Sequence, residues 1–178
     1  MRIEDLGLNP SAQEFLAEQK ITKLYPPQAD TVKAGLLEGQ NILVAAPTAS
    51  GKTLIAMLAM MQFLTHKEGK IVYLTPLRAL ASEKFSEFKK MEGLDFGRKI
   101  KATISTGDFD SVDKESENAD IIVLTNEKMD SIIRHGVDWV DKIGLVIADE
   151  CHHLAARQFC RSLAKYPVRY TLGLSATP

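Results

Sequence analysis

Cysteine is scarce in this chain, with two residues among 178. That excludes a disulfide-stapled extracellular scaffold and points to a reducing, cytoplasmic setting. Charge of one sign is also missing: 22 Lys and Arg face 23 Asp and Glu, for a formal net charge of −1. No basic field announces a nucleic-acid partner, and no acidic block marks a tail. Long hydrophobic runs are absent. The longest, Leu54 to Met61, is far short of the roughly 20 residues that span a bilayer. The first residues, MRIEDLGLNP, lack the apolar stretch of a secretory signal. Aromatics make up 7% of the chain, with one Trp, so no base-stacking platform is advertised. Trp139 is expected to pack rather than stack. Neither an internal repeat nor a low-complexity linker is visible. The length suits one domain. A 45% hydrophobic and 25% charged composition is that of an ordinary soluble globular chain.

Short apolar, β-branched runs recur: Asn41–Ala45, Ile71–Thr75, Lys101–Ser105, Ile121–Thr125, Leu145–Asp149 and Tyr170–Ser175. Most are continuous rather than alternating, which suits parallel strands buried on both faces. Helical patterns lie between them. Pro26–Glu38 starts on prolines and ends before Gly39, as a helix should. Lys52–His66 is apolar nearly all round and reads as a central buried helix, its Met57, Met60 and Met61 filling core. Leu77–Met91 gathers Leu77, Leu80, Ala81, Phe85, Phe88 and Met91 on one face, with Arg78, Glu83, Lys89 and Lys90 outside it. Glu127–His135 and Leu154–Tyr166 follow the same pattern, and residues 1–25 read as a lead-in helical region. Gly107–Asn118 is the most loop-like stretch. Strands alternating with helices predict an α/β fold, a mostly parallel central sheet with helices on both faces.

Two clusters carry chemistry. Ala45-Ala46-Pro47-Thr48-Ala49-Ser50-Gly51-Lys52-Thr53 follows one strand and opens one helix. Small residues let the backbone turn so that successive amides face phosphate oxygens, and the helix N-terminus adds partial positive charge. Lys52 would reach the β- and γ-phosphates and the Thr53 hydroxyl would hold Mg²⁺. The general phosphate-loop pattern wants Gly where Ala46 stands. The bland alternative is a helix start that binds nothing. The second cluster is Asp149-Glu150, at the carboxyl end of an apolar strand, where α/β proteins place ligands. Asp149 would hold Mg²⁺, and Glu150 would polarise a water that attacks the γ-phosphate. Alone, this pair reads equally well as a solvated strand end; beside the phosphate loop it does not.

With these motifs in place, the chain resembles the first motor domain of superfamily 2 helicases, the DExD/H-box group. Asp149-Glu150-Cys151-His152 reads as the DExH motif, and in that group Ala at position 46 is normal. Tyr25-Pro26-Pro27-Gln28 resembles the segment whose Gln reads adenine, for which an amide is chemically apt. Pro76-Leu77-Arg78, Thr106-Gly107-Asp108 and Thr125-Asn126 with Lys128 resemble segments that grip the nucleic-acid backbone. Ser175-Ala176-Thr177 resembles the segment coupling hydrolysis to strand movement, with His152 as its link to the nucleotide. Within the superfamily, the strings LYPPQ, PTASGKTL, PLRALASEKF, ISTGD and EKMDSIIR are similar to archaeal Ski-type DNA helicases. The end, from Cys151-His152-His153-Leu154 to Leu172-Gly173-Leu174-Ser175, is more similar to repair-type DNA translocases.

The resemblance implies a RecA-like P-loop NTPase domain that binds ATP with Mg²⁺. It holds the phosphates with Pro47, Thr48, Ala49, Ser50, Gly51, Lys52 and Thr53, and reads the base with Gln28. It implies Lys52, Asp149, Glu150 and His152 as catalytic residues and a single strand as partner, DNA favoured over RNA. A neutral surface can still grip phosphates through amides and hydroxyls such as Thr75, Thr106 and Thr125, with Arg78 and Lys128 adding point charges. The resemblance also implies that ATP is closed upon by a second RecA-like domain, expected to lie outside this chain. That domain would bring an arginine finger, worth roughly 10³–10⁵ in rate. Two other classes compete: a nucleotide or nucleic-acid binding module with negligible activity of its own, and a small-molecule kinase. The latter would need an acceptor site and a lid, and neither is recognisable. Cys151, His152, His153 and Cys160 do not have zinc-finger spacing.

Overall fold

The computed structural model describes residues 1–47, 49–106, 114–151 and 168–176. Among the described residues six strands form one sheet in the order β1-β6-β5-β2-β4-β3, and every neighbouring pair is parallel. They are β1 (Ile42–Ala45), β2 (Lys70–Thr75), β3 (Ala102–Ser105), β4 (Ile121–Thr125), β5 (Ile143–Ala148) and β6 (Tyr170–Ser175). The expected α/β class is therefore the observed one. Strands β2 and β4 are buried along their whole length, as continuous apolar runs require. β5 begins two residues earlier than its apolar run. Gly144 lies inside the strand because the Phe63 ring packs onto it, so that a Cβ there would meet the ring at 2.5 Å.

The α-helices among the described residues are α1 (Pro10–Glu18), α2 (Pro26–Lys33), α3 (Lys52–His66), α4 (Arg78–Lys89), α5 (Lys114–Asn118) and α6 (Asn126–His135). The crossovers that carry α3 and α4 move across the sheet in one direction, and the α6 crossover returns. Right-handed connections must then place them on opposite faces. Alternate side chains along the strands show it. Ile71, Tyr73, Val123 and Ile147 join the core beneath α1 to α4. Val72, Leu74, Ile122, Leu124 and Val146 join Met129, Ile132 and Trp139 on the other side. Trp139 is buried packing, and Met57, Met60 and Met61 are core filling.

Two helix ends differ from their sequence pattern. α2 stops before Gly35 rather than Gly39. Gly35 takes φ +98°, its N–H donates to Val32 O, and the Leu36 N–H donates to Thr31 O at 3.3 Å, the paired closure that left-handed glycine makes at helix ends. α4 starts at Arg78 because Leu77 is extended, with φ −128° and ψ 140°. Leu77, expected on the apolar face, is 59% exposed. The helix candidate Leu154–Tyr166 lies outside the described residues, as does most of the loop-like stretch; its end forms α5.

Candidate nucleotide site and nucleic-acid edge

Because all six strands are parallel, their carboxyl ends share one edge. β1 runs into the phosphate loop. The Ser50 N–H donates to Pro47 O at 3.2 Å, and Ala49 (φ +64°) and Gly51 (φ +80°) are left-handed. That geometry turns the chain sharply into α3. A side chain at Gly51 would strike Gln28, whose Nε2 lies 2.1 Å from where a Cβ would stand. Gln28 is only 2% exposed. Its Oε1 accepts from the Tyr25 N–H at 2.8 Å, and its Nε2 donates to Ser50 O at 3.4 Å and Gly51 O at 3.3 Å. The residue expected to read adenine thus latches the phosphate loop to the start of α2. Tyr25 itself is 69% exposed. Thr48 lies outside the described residues.

Lys52 brings the two chemical clusters together. Its Nζ donates to Ala46 O at 3.0 Å and stands 3.9 Å from Glu150 Oε1. Glu150 follows β5 in a left-handed conformation, φ +48°, which costs a non-glycine residue about 1–2 kcal/mol. Its N–H donates to Asp149 Oδ1 at 3.0 Å. The other Asp149 oxygen accepts from the Tyr73 hydroxyl at 2.7 Å. Both residues are buried. Burial, then the Asp149 charge and this hydrogen bond, push the Tyr73 phenol well above its ordinary range, so it stays a donor. Thr53 Oγ1 accepts from Lys84 Nζ at 2.9 Å, and Lys84 also meets Glu83 Oε1 at 3.1 Å and Glu87 Oε1 at 3.3 Å. Burial pulls the Lys84 pKa down, but the two glutamates more than offset it and leave it raised. Burial pushes the Cys151 thiol up, which argues against a reactive thiolate. His152 lies outside the described residues.

Strand β6 lies between β1 and β5, and the Ala46 N–H donates to Ser175 O at 3.0 Å. Ser175 is therefore one hydrogen bond from the phosphate loop, with Ala176 next to it in the chain; Thr177 lies outside the described residues. Across the sheet, β2, β4 and β3 carry the other expected segments. Thr75 and Thr125 stand side by side in register. Thr125 caps α6 by accepting from the Lys128 N–H at 3.3 Å. Thr75 Oγ1 and Asn126 Oδ1 are buried atoms without a hydrogen-bond partner among the described residues. Pro76 is half-buried and Arg78 exposed, at the start of α4. Lys128, expected as an available point charge, is buried. Thr106 follows β3 and is half-buried; Gly107 and Asp108 lie outside the described residues. The helix starts of α4 and α6 thus emerge from adjacent strands, a geometry suited to phosphates.

The residues fit a magnesium-bound nucleotide. Ser50 Oγ is buried in the loop with no partner among the described residues, and a side chain at Gly51 would have to push the Gln28 amide aside. The hydroxyl of Thr53 and the carboxylate of Asp149 are the hard oxygen donors that magnesium prefers, usually with substrate phosphates completing its shell. The fold and this edge define a RecA-like P-loop domain. A family model for DEAD/DEAH box helicases matches residues 25–178, and the chain belongs to that family. It is 45% identical over 157 residues to the ATP-dependent DNA helicase Hel308 of Pyrococcus horikoshii, covering 88% of this chain and 21% of the relative. It is 47% identical over 152 residues to Hel308 of Thermococcus kodakarensis, covering 85% and 13%. Among solved structures it matches the Mycobacterium smegmatis helicase Lhr bound to ssDNA and AMP-PNP, with TM-score 0.74 and 26% identity over 97% of this chain and 25% of that one. The DUF1998 helicase MrfA matches with TM-score 0.77 and 26% identity, over 96% and 29%. The chain spans about a fifth or less of the length of these curated relatives. Among the described residues no helix is long and apolar enough to cross a membrane.

Tyr73, Lys84 and Glu87 belong to this site without a motif to mark them. Tyr73 lies inside an apolar strand and has no local signal. Lys84 had one available signal: it sits three residues after Ala81 and four before Phe88, on the apolar face of α4.

Proposed function

We propose that this chain is the ATP-binding half of a nucleic-acid-dependent motor that travels on single-stranded DNA. One observation carries the reading: Lys52, from the phosphate loop, and Glu150, from the end of β5, converge to 3.9 Å beside Asp149. A phosphate-gripping cation and a candidate water-activating carboxylate are then in one place. Lys52 and the loop amides hold the triphosphate, and Ser50 offers its unpaired hydroxyl. Thr53 and Asp149 hold magnesium, which when bound neutralises charge on the phosphates. Glu150 orients the attacking water and takes its proton. Gln28 exchanges its hold on the loop for the adenine edge. Ser175 to Thr177 and His152 relay the state of the nucleotide. Support for DNA comes from the relatives, described as DNA helicases, and from the ssDNA in the Lhr structure. The strand would lie over the ends of β2, β4 and β3, against Thr75 to Arg78, Thr106 to Asp108 and Thr125 to Lys128.

The relatives' greater length supports a second RecA-like domain as the opposite wall of the ATP site. We infer that the 178-residue chain alone binds nucleotide and turns it over negligibly, because an arginine finger comes from that wall. In a full-length protein containing this domain, Lys52→Ala should abolish nucleotide binding. Glu150→Gln should keep binding and lose turnover by about 10²-fold or more. ATPase with and without single-stranded DNA or RNA, alongside binding of a fluorescent ATP analogue, reads both. Wild-type turnover in the Lys52→Ala protein would refute the assignment. Stimulation by RNA but not DNA would refute the choice of track. Robust strand-stimulated turnover by the isolated chain would refute the need for a second wall.

A further inference from the structure

The Thr53 hydroxyl oxygen, a proposed magnesium ligand, is already held by a cation. Lys84 Nζ donates to it at 2.9 Å from the neighbouring helix α4. Lys84 is 8% exposed, and its side chain is as enclosed as that of Lys52. Two cations drawn to one hydroxyl oxygen repel, and enclosure weakens the solvent screening between them. Lys84 has somewhere else to be. Glu83 and Glu87 flank its ammonium at 3.1 and 3.3 Å, so release of Thr53 leaves it paired.

We propose that Lys84 is the resident cation of the magnesium subsite: it holds the Thr53 oxygen in the metal-free site and retires onto Glu83 and Glu87 when magnesium arrives with the nucleotide. Lys84 is a positioning residue, since it acts through Thr53. The proposal rests on the ATP-site reading given above. Its thermodynamic consequence is a reduced coupling between metal and nucleotide. With Lys84 present, a nucleotide entering without magnesium still finds counter-charge near Thr53. A nucleotide entering with magnesium must first displace that charge. Removing the charge therefore weakens metal-free binding and leaves metal-loaded binding equal or tighter.

The test is equilibrium titration of a fluorescent ATP analogue into the full chain, once in EDTA and once with magnesium. Wild type is compared with Lys84→Met and Lys84→Arg. The ratio of the metal-free to the metal-loaded Kd should rise about tenfold in Lys84→Met. It should stay within about twofold of wild type in Lys84→Arg, which keeps the charge. Lys84→Gln carries the same test should Lys84→Met not fold. An unchanged ratio, with both Kd values weakened alike, is the mark of a merely structural lysine and overturns the proposal. So does an equal rise in Lys84→Arg. Wild-type chain that takes up no nucleotide under either condition overturns the ATP-site reading itself, and this proposal with it.

Discussion

Tyr73→Phe isolates one hydrogen bond. The ring keeps its edge-to-face contact with Phe88, at 4.8 Å between centroids, so packing changes little. The hydroxyl that donates to Asp149 Oδ2 at 2.7 Å is lost, and the carboxylate it served is buried. A hydrogen bond to a charged group contributes about 1.5–3 kcal/mol, so we expect a loss near 2 kcal/mol at pH 8. The pH dependence separates this bond from a packing defect. Below the ordinary phenol value of 10.0, folded and unfolded chains both keep the proton and the contribution is fully present. Above it the unfolded chain releases the proton, while burial and the Asp149 carboxylate hold the folded phenol protonated. Wild-type stability then falls by about 1.4 kcal/mol per pH unit on account of this residue, and the Phe variant is spared. Tyrosines common to both chains cancel in the difference. By pH 11 the gap should shrink to below about 1 kcal/mol. Urea unfolding of both chains at pH 8, 10 and 11, with equal m-values, measures it. Equal stability at pH 8, or a gap that ignores pH, would refute the buried bond and its charge.

Gly51→Ala should destabilise the chain by roughly 1–2 kcal/mol through the left-handed backbone alone, and further through the clash with Gln28 Nε2 at 2.1 Å. Pairing it with Gln28→Ala removes the clash, so the double variant should be less destabilised than the two single losses summed; strict additivity in thermal melts would count against the latch. Lys70 is buried and donates to Ser116 O, Glu117 O and Ala119 O at 3.1, 2.8 and 2.6 Å, closing the end of α5. Lys70→Met should cost about 2–4 kcal/mol by leaving those carbonyls unserved. It should also speed amide exchange in α5 and the start of β4; unchanged exchange there would refute the cap.

Much of this domain is readable along the chain because its signals are local. Continuous apolar runs give fully buried parallel strands, since a strand covered on both faces has no polar side to show. Lys52–His66 is a helix over the span its pattern predicts, because an all-apolar helix has no alternative to burial. The ends were less legible. Gly35 rather than Gly39 terminates α2, since the choice depends on which glycine can adopt the left-handed closure. Gly144 belongs to β5 because Phe63, far away in sequence, needs the space.

The residue types of the phosphate loop and of Asp149-Glu150 carry their chemistry without reference to a fold, because strand, turn and helix start are all local. Their assembly is a matter of topology. The order β1-β6-β5-β2-β4-β3 takes segments scattered along the chain and sorts them onto two halves of one edge. The candidate nucleotide motifs lie on β1, β6 and β5, and the candidate strand-gripping motifs on β2, β4 and β3. Right-handed crossovers in opposite directions produce that sorting, and no local pattern encodes it. The same folding carries the Tyr73 hydroxyl under Asp149 and the Lys84 ammonium against Thr53. Both are unremarkable letters in sequence, and both acquire a role only because the fold buries each polar head beside partners far away along the chain.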